Sequence, residues 1–112
     1  MRKRTAAVLL ALAIGAVAAI PVFAATPKFN GTVGPGFTIT MSKKPTKAGK
    51  TTFVLSDKSS IHNFHLKGKG VNVKTTVPGT GPKTFKITLA KGKYSFLCDP
   101  HPTSMKGSFT IK

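Results

Sequence analysis

Apolar residues recur at every second position in short runs along most of the chain from Pro27 onward. The pattern is clearest from Lys83 to Leu89, where Phe85, Ile87 and Leu89 fall on one side and Thr84, Lys86 and Thr88 on the other. Successive side chains of a strand point to opposite faces, so this alternation predicts a half-buried β-strand. Phe37, Ile39 and Met41 alternate with Thr38 and Thr40 in the same way, which predicts a strand with those three side chains buried. Thr51 to Ser56 sets Phe53 and Leu55 inward, and Tyr94 to Cys98 places Tyr94, Phe96 and Cys98 on one face. The last strand carries Phe109 and Ile111 inward, and Phe29–Val33 and Val71–Val77 are weaker extended segments. Between the runs lie Gly34-Pro35-Gly36, the basic loop from Lys43 to Lys50, the turn Asp57 to Ser60, Pro78-Gly79-Thr80-Gly81-Pro82, and Lys91-Gly92. Helical periodicity is nearly absent and no repeat is visible. Short strands punctuated in this way predict an all-β sandwich or barrel of seven or eight strands.

The phase of Ile61-His62-Asn63-Phe64-His65-Leu66 bears on function. If the segment is a strand with Phe64 and Leu66 inward, His62 also points inward, and Asn63 and His65 face the other way. His62 would then stand at the rim of the core, at the start of its strand. Cys98 would stand at the end of its own.

The N-terminus reads differently. Met1-Arg2-Lys3-Arg4 is basic, Ala6 to Ile20 is apolar, and Val22-Phe23-Ala24 offers small residues for cleavage. This is the layout of a secretory signal, and the apolar run is shorter than the roughly 20 residues of a spanning helix. The expected division is a signal peptide over 1–24 and one small domain over 25–112, exported to the periplasm, the cell envelope or the exterior. A retained N-terminal anchor is the alternative. Without Arg2, Lys3 and Arg4, fifteen lysines stand against Asp57 and Asp99, a net charge of about +13 that attracts anionic partners. Nucleic acid is not the expected partner: the lysines are scattered, no arginine remains, and neither a basic helix nor a run of aromatics for base stacking is present. Distributed lysine ordinarily means a solvated surface, with an acidic protein or an anionic envelope as the functional counterpart.

One cysteine cannot form a disulfide within the chain, and a lone thiol in an exported protein calls for a reason. A buried core thiol is one reason, and metal ligation is another. The stretch Cys98-Asp99-Pro100-His101-Pro102-Thr103-Ser104-Met105 sets a thiol, an imidazole and a thioether within one loop. These soft and borderline donors select copper over magnesium or calcium. A second imidazole would complete the set, and either His62 or His65 could supply it.

The combination of His62-Asn63 with Cys98-Asp99-Pro100-His101 and Met105-Lys106-Gly107 resembles the blue copper proteins, or cupredoxins, in their plastocyanin and amicyanin branch. Tyr94-x-Phe96-x-Cys98, Gly107-x-Phe109 and the segment His62-Asn63-Phe64-His65 add to the resemblance, which spans essentially the whole of 25–112. It implies a Greek-key β-sandwich holding one copper ion, with His62, Cys98 and His101 as in-plane ligands and Met105 as the long axial one. The match of the His-Asn pair favours His62 over His65. Asn63 resembles the family residue that hydrogen-bonds the cysteine loop. The spacing Cys-x2-His-x3-Met is one residue longer than in amicyanin and one shorter than in plastocyanin. Leu97 replaces the tyrosine that plastocyanin uses as a remote electron port, so the edge of His101 is the expected route.

The resulting expectation is a monomeric, exported carrier of single electrons between redox partners, not an enzyme, with a partner acidic at its docking face. A copper carrier or sequestration protein without a redox partner is one alternative. A basic adhesion or interaction module of the same fold is another.

Overall fold

The computed structural model describes residues 25–112, so the expected signal peptide and its cleavage point lie outside the described residues. Eight strands follow in order: β1 Lys28–Val33, β2 Ile39–Met41, β3 Gly49–Asp57, β4 His65–Gly68, β5 Val71–Lys74, β6 Gly81–Leu89, β7 Gly92–Leu97 and β8 Lys106–Ile111. They form two four-stranded sheets, ordered β2-β1-β3-β6 and β5-β4-β7-β8. The pairing of β1 with β3 is parallel and the other pairings are antiparallel. The chain passes between sheets at β3–β4, β5–β6 and β6–β7, which gives the expected sandwich with Greek-key crossovers. Among the described residues no helix is long and apolar enough to cross a membrane.

Alternation dictates the core. Val33, Phe53 and Leu55 from one sheet meet Leu66, Tyr94, Phe96, Phe109 and Ile111 from the other, all buried. The Tyr94 and Phe109 rings stack at 5.3 Å, and Phe64 lies on Phe96 at 5.4 Å between centroids. Removing each such side chain from water contributes roughly 1.5–3 kcal/mol, which is what holds so small a two-layer body together.

Two predicted segments that bear on the site differ from the structure. β2 is only Ile39–Met41, and Phe37 precedes it with 54% of its surface exposed, so the predicted burial of Phe37 is corrected. The periodicity at Phe37 is real but the chain is still in the Gly34–Thr38 loop there, closed by a 2.9 Å bond from the Gly34 amide to the Thr38 carbonyl. Likewise β4 begins at His65, and residues 61–64 belong to the crossover from β3. Freed from strand alternation, His62, Asn63 and Phe64 are all buried in succession, so Asn63 does not face outward as the strand reading predicts.

Candidate metal centre

Two connections at one end of the sandwich carry the candidate ligands. The β3–β4 crossover holds His62, and the β7–β8 loop holds Cys98, His101 and Met105. The second loop is shaped by its own backbone. The His101 amide donates to the Cys98 carbonyl at 3.0 Å, the Met105 amide to the His101 carbonyl at 3.0 Å, and the Cys98 amide to the Met105 carbonyl at 2.9 Å. The spacing of two residues from Cys98 to His101 thus closes one tight turn, and three more to Met105 close a slightly wider one. Together they fold the loop back over its own first residue.

His62 and Cys98 are fully buried, and His101 is half-buried. Their donor atoms converge. His62 Nδ1 lies 3.2 Å from His101 Nδ1, and the Cys98 sulfur lies 3.9 Å from the first and 3.5 Å from the second. Two imidazole lone pairs aimed at one point repel each other unless a proton or a cation sits between them. The point equidistant from the three atoms is about 2.1 Å from each, within the roughly 2.0–2.3 Å that a borderline metal ion keeps from nitrogen and sulfur. The residues therefore fit a metal. Met105 is fully buried at the loop's end, its backbone bonded to both Cys98 and His101.

His65, the rival imidazole, is directed elsewhere. Its Nδ1 is 2.8 Å from Asp99 Oδ1 and its Nε2 is 2.6 Å from Asn72 Oδ1, so both ring nitrogens are engaged. Asp99 joins it to Asn63, whose side-chain amide donates to Asp99 Oδ2 at 2.8 Å and to the Thr75 carbonyl at 3.1 Å. The Asn63 side-chain oxygen accepts from the Asp99 amide at 2.8 Å, and the Asn63 backbone amide donates to the Cys98 sulfur at 3.4 Å. The expected link from Asn63 to the cysteine loop is present, and it runs through Asp99. The hydrogen bond with His65, then that with Asn63, hold the Asp99 carboxyl below its ordinary range against the opposing effect of burial, with a further contribution from attraction to His65 and Lys74.

Phe37 is a site residue that the alternation pattern did not reveal. Its ring edge meets both imidazoles, 5.1 Å from His62 and 4.8 Å from His101 between centroids, at steep angles of 70° and 87°. Gly34 makes room beneath. Its φ of 68° is left-handed, and a Cβ added there would stand 3.1 Å from the His62 ring, so only glycine fits without strain. The signal available in the sequence was the Gly34-Pro35-Gly36 break, which could have placed Phe37 in a loop instead of a strand.

Residues 31–112 match the sequence profile of the copper binding proteins of the plastocyanin/azurin family. The chain is a cupredoxin. Among solved structures, reduced rusticyanin is similar with a TM-score of 0.63 at 20% identity, over 81% of this chain and 82% of that one. Auracyanin A, a blue copper protein from Chloroflexus aurantiacus, gives a TM-score of 0.55 at 18% identity, over 79% and 100%. Dithionite-reduced auracyanin from Roseiflexus castenholzii gives 0.58 at 19%, over 80% and 99%. These structural likenesses establish the shared fold. No curated protein sequence is similar enough to this cupredoxin to count as a match. Copper is the cofactor of the family, and the cluster of His62, Cys98 and His101, with donor atoms all within 4.8 Å, has the donor set for one ion.

Proposed function

We propose that this cupredoxin is an exported carrier of single electrons. His62, Cys98 and His101 would hold the copper, with Met105 as a further, weaker thioether donor, a set suited to both oxidation states. The observation that carries this reading is the convergence of Nδ1, Nδ1 and Sγ in a framework fixed by backbone and Asn63 hydrogen bonds. Bound copper supplies the one-electron couple. The protein contributes a site that hardly moves between the two states, which lowers the barrier to transfer. Four donors leave no open position for a substrate, in keeping with a carrier and not an enzyme.

His101 is the port. It is half-buried where His62 is fully buried, and exposed Phe37, Pro100 and Pro102 border it. A redox partner would meet this apolar rim, drawn in by the chain's positive field if its own surface is acidic. Export follows from the signal-like residues 1–24, with Ala25 as the mature N-terminus, which mass spectrometry of the secreted protein would read directly.

The deciding experiment is a visible spectrum of residues 25–112 loaded with copper(II). Intense blue absorption, bleached by ascorbate and restored by an oxidant, is the expected result. His62→Ala should abolish the colour and His65→Ala should retain it. Copper bound without that colour, or surrendered readily to a chelator, would instead favour the carrier or sequestration reading.

A further inference from the structure

We infer that the end of the sandwich opposite the metal centre is a docking surface for an anionic lipid bilayer, which turns the copper end away from the membrane; this rests on the reading of the chain as an exported copper protein. The strand registers define the two ends. Val33, Asp57 and Gly81 align at one end of the first sheet, and His65, Lys74, Leu97 and Lys106 align at the same end of the second, where the ligands lie. At the other end Gly49 opposes Leu89, Gly68 opposes Val71 and Gly92 opposes Ile111.

Charge divides along this axis. Both acids of the chain, Asp57 and Asp99, are at the metal end, where they offset part of the charge of Lys58, Lys74 and Lys106. The far end carries Lys47, Lys50, Lys69, Lys91 and Lys93, all exposed, and no acid. These lysines sit on tied turns. The Tyr94 hydroxyl accepts from the Ala90 amide at 2.9 Å and lies 3.3 Å from the Lys69 carbonyl, joining the β4–β5 and β6–β7 turns. The Lys112 amide donates to the Thr46 carbonyl at 3.1 Å, which fixes the loop carrying Lys47 against the end of β8.

The chemistry of this end favours a bilayer over a protein partner. Protein interfaces are anchored by aromatic residues and arginine and are depleted in lysine. The far end has no arginine, and the large exposed apolar side chains, Phe37 and Ile61, are both at the metal end. Compact ammonium groups spread over a rigid face suit mobile anionic headgroups instead. The chain also enters the fold in this half, where the Pro27 carbonyl accepts from the Thr52 amide at 2.9 Å, so the apolar Ala6–Ile20 segment of a precursor would bring this end to the membrane.

The test uses residues 25–112 loaded with copper, which contain both sheets and the whole core and lack the apolar leader that would bind lipid by itself. Co-sedimentation with phosphatidylglycerol vesicles should occur at low salt, weaken steeply as salt rises, and be absent with phosphatidylcholine. Each lysine near an anionic surface strengthens binding roughly fivefold, so Lys47→Glu/Lys69→Glu/Lys91→Glu should weaken it roughly a hundredfold or more. Lys58→Glu/Lys74→Glu/Lys106→Glu, which makes the same change in net charge, should weaken it far less. Equal losses from the two triples, or no preference for the anionic vesicles, would overturn the proposal. So would binding of the far end to soluble polyglutamate but not to vesicles, which would assign the surface to an acidic protein. The visible spectrum, recorded on the same samples, tests the copper reading separately, because none of the three far-end lysines touches the ligands.

Discussion

Asn63 is the residue on which the geometry of the metal centre turns. Its side chain makes three hydrogen bonds, to the Asp99 amide, the Asp99 carboxylate and the Thr75 carbonyl, and its own amide meets the Cys98 sulfur. Replacing it with alanine leaves buried groups without partners, and Asn63→Ala should destabilise the fold by about 2–4 kcal/mol in urea unfolding. Asp99 gives the same network a pH dependence. Its folded carboxyl is held below the unfolded value, so its contribution is complete above that value and is lost as pH falls through the depressed folded one. The Asp99 side chain is 40% exposed, so solvent screens the effect and keeps it small. The melting temperature of the metal-free chain should therefore fall more steeply below about pH 4 than that of Asp99→Asn. If the two fall in parallel, the carboxylate is not part of the clasp. From the sequence, Asp99 is only an unexplained acid beside the cysteine. Its purpose depends on Asn63 and His65 reaching it across 36 and 34 positions, and no local pattern encodes that.

At the scale of elements, the strands that alternate cleanly were legible and the segments that leave alternation were not. β3, β6, β7 and β8 show the predicted faces because each has one side against the core, and burial every second residue is written directly into the side chains. Phe37 and Asn63 defeat that logic: loop backbone frees consecutive residues to point wherever packing and hydrogen bonds take them. The candidate ligands were legible because their chemistry is rare, and the spacing of Cys98, His101 and Met105 sets the turns that gather them. Gly107 shows how an element constrains the site. A Cβ there would overlap the Phe96 ring, which in turn stacks on Phe64 two residues beyond His62. Gly107→Ala should cost about 1–3 kcal/mol through overpacking at the start of β8. Ser108→Ala, one residue along and facing solvent, should stay within about 0.5 kcal/mol. Equal effects would mean that the ring has room to move and that β8 does not need a glycine.

The whole molecule must be stable with a single thin core, one cysteine and a large excess of positive charge. Self-repulsion among the lysines works against the compact state, and no covalent staple within the chain opposes it. A metal held by His62 from one connection and by Cys98 and His101 from another would join the first sheet's exit to the second sheet's last hairpin, and so act where a cross-link would. An ion that binds the folded form alone stabilises it in proportion to the logarithm of one plus the ratio of free metal to its dissociation constant, about 4 kcal/mol when that ratio is 1,000. For a domain of this size each kcal/mol moves the melting temperature by about 4–8 °C, which predicts a rise of roughly 15–30 °C on copper binding. The core and the backbone bonds of the ligand loop do not depend on the ion, so the metal-free chain should keep its far-ultraviolet circular dichroism while melting earlier. Calorimetry of the two forms, with His62→Ala as the control in which the rise shrinks, checks both halves of this. Were the metal-free chain to melt with the copper form, stability would come from the two sheets alone, and the ion would be bound by a frame that gains nothing from holding it.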